Sequence, residues 1–286
     1  MNIAVIGAGI SGLLTTRALQ RAGKQVTLFS SGNPSASSLA LGMLTPSSLQ
    51  RPVDALQRHG IQQWDVISRE LASTHGVAPE SFYRQWGNSR QLNVPVVLEL
   101  LYKDVRHQGT QVTTQTIHAL DDVSADFEAI IVAAGAGTAA LLAPLPNHQM
   151  MGEWRLSRGQ VIRLQPPSPL AAPVVADNLF VVPDWNSSVM IGSKNSTLSL
   201  ADSANPPPPT PRPEHTAELW QRGSALVPML AEAKLLEAWV GYRPISNPRL
   251  PLLRQVAPKV WAVAGIGKVG FALAPCVAQA AVEQLT

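Results

Sequence analysis

The sequence predicts an α/β protein of two interleaved domains, one of them built on a parallel sheet. Three observations lead there. The chain opens on a strand, a glycine turn, a helix and a second strand, the βαβ order of nucleotide-binding folds. Apolar strand-like runs return far along the chain, at Phe127–Ala133 and Val260–Ala264. A length of 286 residues is enough for two domains of ordinary size.

Ile3–Ile6 is the β-branched run that a fully buried parallel strand needs. Gly7, Gly9 and Gly12 follow as G-x-G-x-x-G, and Leu13, Leu14, Ala18 and Leu19 give Ile10–Ala22 a helical period that Gly23 ends. Val26–Phe29 is the second strand, and Ser30 to Ser48 is a Ser-, Gly- and Pro-rich loop. Helical periods recur at Val53–Thr74 and Val94–Gln108, with a strand pair expected between them over Phe82–Leu92. Gly159–Leu164 reads as a strand, and Phe180–Pro183 with Ser188–Gly192 reads as a hairpin. Ala204–Pro213 is a Pro-rich extended connection. Glu214–Leu226 and Met229–Trp239 read as helices, and a Gly-rich turn after Val260–Ala264 opens the last helix.

Composition narrows the function. A single Cys excludes an internal disulfide framework, and the six His lie far apart with no metal-ligand spacing. The net charge of +3 comes from scattered Lys and Arg, so no nucleic-acid surface is expected. Ala129–Pro146 is apolar for long enough to span a membrane, but Gly135, Gly137, Thr138 and Pro144 make it a strand, a turn and a short helix. The first residues carry no positive segment or cleavage site, which gives a cytoplasmic expectation.

The glycine motif stands in the context that gives it meaning. Gly7 allows the tight turn, Gly9 lets backbone approach a pyrophosphate, Gly12 lets the helix pack on the strand, and Ile10 and Ser11 begin the helix whose N-terminus faces the phosphates. An acid is expected at the end of the second strand to grip the ribose. Ser30 stands there instead, able to make single hydrogen bonds but no bidentate charged contact. No Arg follows nearby to take a 2′-phosphate, so weakened FAD binding is favoured over NADP.

Five segments in order, A-S-S-L-A-L-G-M-L-T-P (36–46), I-I-V-A-A-G-A-G (130–137), R-G-Q-V-I (158–162), G-Y-R-P (241–244) and G-I-G-K-V-G-F-A-L-A-P (265–275), resemble the D-amino-acid oxidase family, in its glycine oxidase-like branch. The resemblance implies a Rossmann-like FAD-binding domain (1–48, 115–146, 256–286) interleaved with a smaller, mainly antiparallel α+β substrate domain (49–114, 147–255). It implies FAD lying across Gly7, Gly9, Ile10, Ser11, Gly12 and Ser30, beside Ser38, Gly42, Met43 and Leu44, under Ala134 and Gly135, and against Gly265, Gly267, Lys268, Val269 and Gly270. Arg243 then takes the substrate carboxylate, a task for a planar guanidinium. Lys268 stands where these enzymes usually carry a second Arg beside the flavin, keeping the charge and losing the fork.

The departures matter as well. Phe180 replaces a Tyr hydroxyl in the pocket strand, Asn178 stands where a His is common, and Ile266 replaces a second His. Cys276 reads as a small buried thiol. The chain is short for the family, with the shortage between Pro46 and Phe127, which implies an open active site. The reaction implied is oxidation of an amine or amino acid by hydride transfer to flavin N5, followed by imine hydrolysis, with no dedicated base. Two other readings stay open: a carrier-bound, peptidyl or protein substrate docked on some of the seven Trp, and a flavin-binding module without chemistry.

Overall fold

The first parallel unit forms as its sequence demands. In the computed structural model, which describes residues 1–47, 51–123, 126–146, 152–250 and 252–285, β1 (Asn2–Ile6) lies beside β2 (Gln25–Ser30), with α1 (Ile10–Arg21) crossing between them. The expected loop end at Ser48 and the expected boundaries at 49, 147 and 286 lie outside the described residues. On the other flank β1 pairs in parallel with β7 (Ala129–Val132), and β7 pairs in parallel with β14 (Val260–Val263). The antiparallel β13 (Leu253–Ala257) and the parallel β6 (Gln111–Thr114) close the edges, giving the six-stranded order β13-β14-β7-β1-β2-β6.

Both faces of this sheet are buried, which is why β1 reads as an unbroken apolar run. Ile3 and Val5 join the core formed with α1, α2 (Pro52–His75), α3 (Val94–His107) and α7 (Gly270–Leu285), and Ala4 and Ile6 face the opposite core with Phe29, Ile130 and Val132. Fully buried Trp64 on α2 donates its indole N–H to the Phe271 carbonyl on α7 at 2.8 Å. The apolar stretch at 129–146 resolves into β7, a 3₁₀ turn at Gly135–Gly137 and α4 (Thr138–Leu142). Among the described residues no helix is long and apolar enough to cross a membrane.

Between β7 and β13 the chain builds a second sheet. β8 (Glu153–Gln165), β9 (Val174–Ala176), β10 (Leu179–Pro183), β11 (Val189–Thr197) and β12 (Lys234–Asn247) form the antiparallel order β12-β8-β11-β10-β9. One face packs on α6 (Pro213–Leu226) through Ile162, Leu164, Val181, Ile191 and Leu219. A small sheet, β3 (Met43–Leu44) with the hairpin β4 (Tyr83–Trp86) and β5 (Ser89–Leu92), lies where the strand pair over Phe82–Leu92 was expected. Its Gln91 reaches the second sheet by donating to the Pro183 carbonyl at 2.6 Å.

Two expectations change. The helix expected at Met229–Trp239 is a 3₁₀ turn at Pro228–Glu232 followed by β12, because pairing along β8 from Lys234 to Asn247 outweighs the local helical propensity of A-E-A-K-L-L-E-A. Residues 49–114, expected in the second domain, instead contribute α2 and α3 to the core of the parallel sheet, and β6 pairs with β2. The apolar faces of these helices find their cover on α1 and α7.

Candidate active site

The C-terminal edge of the parallel sheet carries the first half of the site. Gly7 has φ +110°, and its N–H donates to the Phe29 carbonyl at 2.8 Å. A Cβ on Gly7 would lie 2.5 Å from the Ala133 carbonyl oxygen, and one on Gly12 would lie 1.8 Å from the Gly7 carbonyl oxygen. Only glycine permits this meeting of turn, helix and neighbouring strand. Gly9 precedes α1 with extended backbone and no side-chain cap, and the first turn holds no acid. This helix start follows β1, which pairs with β7, the strand that leads into the Ala134–Gly135 turn.

Ser30 ends β2, where its hydroxyl accepts from the Gly32 N–H at 3.3 Å. Ser38, expected at the cofactor, is exposed and donates back to the Ser35 carbonyl at 2.8 Å. Its neighbour Ser37 is the residue that meets α1, accepting from the Ile10 N–H at 3.1 Å. Two adjacent serines in one turn are indistinguishable by composition, so this choice needed the backbone path.

The loop from 36 to 44 bridges the two sheets. Gly42, at φ +75°, accepts from the Leu92 N–H at 3.0 Å, and a Cβ there would lie 2.1 Å from the Leu92 carbonyl oxygen. Met43 and Leu44 then pair with Gln91 and Arg90. On the other side Trp239 donates its indole N–H to the Leu39 carbonyl at 2.9 Å, and Leu41 lies 3.1 Å from where a Cβ on Gly192 would stand.

The last glycine turn is tied to the end of β12. Ser246 donates its N–H to the Gly265 carbonyl at 3.0 Å, and its hydroxyl accepts from the Gly265 N–H at 2.9 Å. Buried Ile266 bridges to Ile245, Gly267 takes φ +60°, and Val269 leads into α7 at Gly270. Lys268 is exposed on this turn.

Arg243 projects from β12 onto the sheet face that meets the 36–44 loop. Paired residues in an antiparallel ladder share a face, and β12 places Gly241 opposite Gly159 while β11 places Asn195 opposite Gly159 and Gly192 opposite Val161. Phe180 pairs with Gly192, so it shares this face with Arg243. The half-buried Arg243 donates from Nη1 to Asn195 Oδ1 at 2.6 Å, and burial pulls its pKa below the usual arginine value. Among the described residues no carboxylate pairs with it.

Other expectations fall away from this face. Asp177 and Asn178, at φ 46° and 59°, form the two-residue turn between β9 and β10, and Asn178 is exposed rather than in a pocket. Their short polar side chains tolerate the left-handed backbone that such a hairpin requires. Arg158, on the opposite face of β8, donates to the Thr210 carbonyl at 2.7 Å and pins the Pro-rich connection. Trp64 is buried, the other six Trp are half-buried, and five of the seven indoles donate to acceptors. Among the described residues no cluster of His, Cys, Asp and Glu could hold a metal.

The family model of FAD-dependent oxidoreductases named DAO matches residues 2–89 and 88–284. The chain belongs to the DAO family of FAD-dependent oxidoreductases. The bifunctional protein ThiO/ThiG of Trichormus variabilis is 28% identical over 164 residues, which cover 57% of this chain and 22% of that protein. The chain thus spans about a quarter of the length of the curated relatives it matches. Glycine oxidase from Geobacillus kaustophilus superposes with a TM-score of 0.82 at 19% identity, covering 99% of this chain and 94% of that one. Iminodiacetate oxidase from Chelativorans sp. BNC1 gives 0.78 at 20% identity, covering 98% and 94%.

FAD is the cofactor of this DAO-family chain, and the residues present fit it. The Gly7–Gly12 turn would be filled by any Cβ at positions 7 or 12, and the N-terminus of twelve-residue α1, where Ser37 takes the Ile10 N–H, lies beside it. Gly159, Asn195, Ser37 and Ser246 are the site residues that sequence reasoning missed. Gly159 lay within the R-G-Q-V-I segment, but its role depends on a partner on the next strand.

Proposed function

We propose that the protein oxidises the C–N bond of a small amine that carries a carboxylate, an amino acid or an N-substituted amino acid. The observation that carries this reading is Arg243, a half-buried guanidinium facing the 36–44 loop, with a neutral hydrogen-bond partner and no paired acid among the described residues. A planar fork of donors in a poorly solvated setting suits a carboxylate better than any neutral group. The names of glycine oxidase and iminodiacetate oxidase, whose folds superpose on this one, agree with such a substrate.

In this reading the amides of Gly9, Ser11 and Gly12 hold the pyrophosphate, beside the Ile10 N–H that Ser37 already takes, and Ser30 gives the adenosine ribose a single hydrogen bond. Gly42, Met43, Leu44, Ala134 and Gly135 enclose the cofactor, and Gly265, Gly267, Lys268, Val269 and Gly270 present backbone and one cation to the ring. When bound, FAD supplies a two-electron acceptor that takes hydride from the substrate carbon next to nitrogen. Arg243 binds and orients the substrate carboxylate, which fixes the C–H to be broken. Phe180, without a hydroxyl, adds apolar wall and excludes water from that side. Among the described residues the carboxylates on the Arg243 face, Glu153 and Glu237, are ion-paired with Arg155 and Arg163, so positioning and electrostatics supply the acceleration, and the imine product hydrolyses in water.

The test is anaerobic addition of small amino acids and amines to purified protein containing FAD. Bleaching of the flavin band by carboxylate-bearing amines, and not by the corresponding simple amines, is the expected result. Absence of bleaching with the whole panel would overturn the reading.

A further inference from the structure

We infer that Asn195 is the positioning residue for Arg243, and that it makes the site selective for carboxylates by holding the guanidinium without neutralising it. The inference rests on the assignment of Arg243 to the substrate carboxylate.

The register of β11 is where the argument starts. Gly192 stands opposite Val161 on β8, and uninterrupted pairing would put residue 194, a lysine, opposite Gly159. A bulge between Gly192 and Lys194 adds one residue, so Asn195 stands opposite Gly159 instead. Bulges re-aim a strand's side chains by one position, and they recur beside functional sites for that reason. Here the shift installs an amide acceptor at the position next to Arg243.

The amide oxygen is used. Asn195 Oδ1 accepts from Arg243 Nη1 at 2.6 Å, and the guanidinium lies over Gly159, whose missing Cβ would stand 2.5 Å from Nη1 and 2.9 Å from Nη2. Floor and acceptor together fix the group's position while leaving its full charge. An Asp at 195 would have almost the same shape but would form an internal ion pair, and a substrate carboxylate would then have to compete with it. The choice of Asn is therefore a choice about charge, and it favours amino acids over neutral amides and simple amines.

Calorimetric titration of the FAD-containing protein with propionate, a carboxylate that has no amine to oxidise, tests this directly in the wild type and in Asn195→Asp, Asn195→Ala and Arg243→Met. Asn195→Ala is expected to weaken propionate three- to tenfold, and Asn195→Asp by more than tenfold, with FAD content and melting temperature unchanged. A residue that merely braces the strand gives the opposite order, because Asp keeps the hydrogen bond that Ala loses. That order, or wild-type affinity in Asn195→Ala, overturns the inference. If Asn195→Asp does not fold, Asn195→Ala alone decides. Wild-type affinity in Arg243→Met would overturn the Arg243 assignment itself, and with it the inference. Loss of binding in Arg243→Met with no change in either Asn195 variant would overturn the inference alone.

Discussion

The guanidinium of Arg243 occupies the space that a side chain on Gly159 would need. The two residues sit on neighbouring strands, and a Cβ at 159 would come within 2.9 Å of Nη1, Cζ and Nη2. A glycine in mid-strand usually weakens a sheet. This one makes a shallow floor for Arg243, a cation whose hydrogen-bond partner, Asn195, is neutral.

Gly159→Ala should therefore separate binding from folding. The atoms in conflict are the far end of a flexible side chain, so Arg243 can swing aside at a cost to stability of about 1 kcal/mol or less. The guanidinium leaves its place, and propionate affinity should fall about tenfold, which corresponds to roughly 1.4 kcal/mol. Titration calorimetry with the melting temperature as control reads both effects.

Gly12→Ala should behave differently. Its Cβ would lie 1.8 Å from the Gly7 carbonyl oxygen, a backbone atom that can yield only if α1 moves off β1. Overpacking of this kind costs about 2 kcal/mol or more. Purified Gly12→Ala should contain little FAD and melt below the wild type, as absorbance at the flavin band and a thermal scan would show.

Asp65 on α2 should give stability that fades in acid. Arg90 donates from Nε to Oδ1 at 2.8 Å and from Nη2 to Oδ2 at 3.0 Å, Tyr83 also donates to this carboxylate, and these contacts hold it below the usual carboxylate range. Its folded pKa lies under the unfolded one, so the contribution is complete above the unfolded value near 4 and is lost as pH falls through the folded value. The side chain is 36% exposed, and screening limits the effect to about 1 kcal/mol. Asp65→Asn should melt lower than the wild type at pH 6, and the gap should narrow as pH falls below about 4.

Cys276 should resist thiol reagents in the native protein. Burial pushes its thiol up to about 11, and its Sγ donates to the Leu56 carbonyl at 3.3 Å where α2 crosses α7. The helices meet so closely that a Cβ on Gly60 would lie 1.8 Å from the Ala272 carbonyl oxygen. Labelling with a disulfide reagent at pH 7.5 should proceed only after denaturation, whereas Gly60→Ala, by prising the crossing apart, should expose the thiol without denaturant.

Much of the fold was legible because its determinants are local. The β1–turn–α1–β2 unit is written in apolar period and glycine spacing over a short span, and the ordered segments around Gly42, Gly135, Arg243 and Gly265 carried the family resemblance. Misreadings arose where distant pairing decided the outcome. The stretch that became β12 looks helical by itself and is a strand because β8 lies beside it. Residues 52–114 looked like part of a second domain, yet the apolar faces of α2 and α3 close against α1 and α7.

By itself the sequence determined the glycine turn and the parallel sheet that carries it, while the family resemblance alone pointed to Arg243 as a candidate for a carboxylate. The turn and the sheet depend on residue types at fixed spacing, which chain connectivity alone enforces. Only the tertiary structure decided that Ser37 rather than Ser38 meets α1, that Asn178 turns a hairpin, and that a one-residue bulge sets Asn195 against Arg243. Each of those outcomes depends on register between strands or on the path of a loop. A shift of one residue moves a side chain to the other face of a sheet while leaving composition and spacing almost untouched.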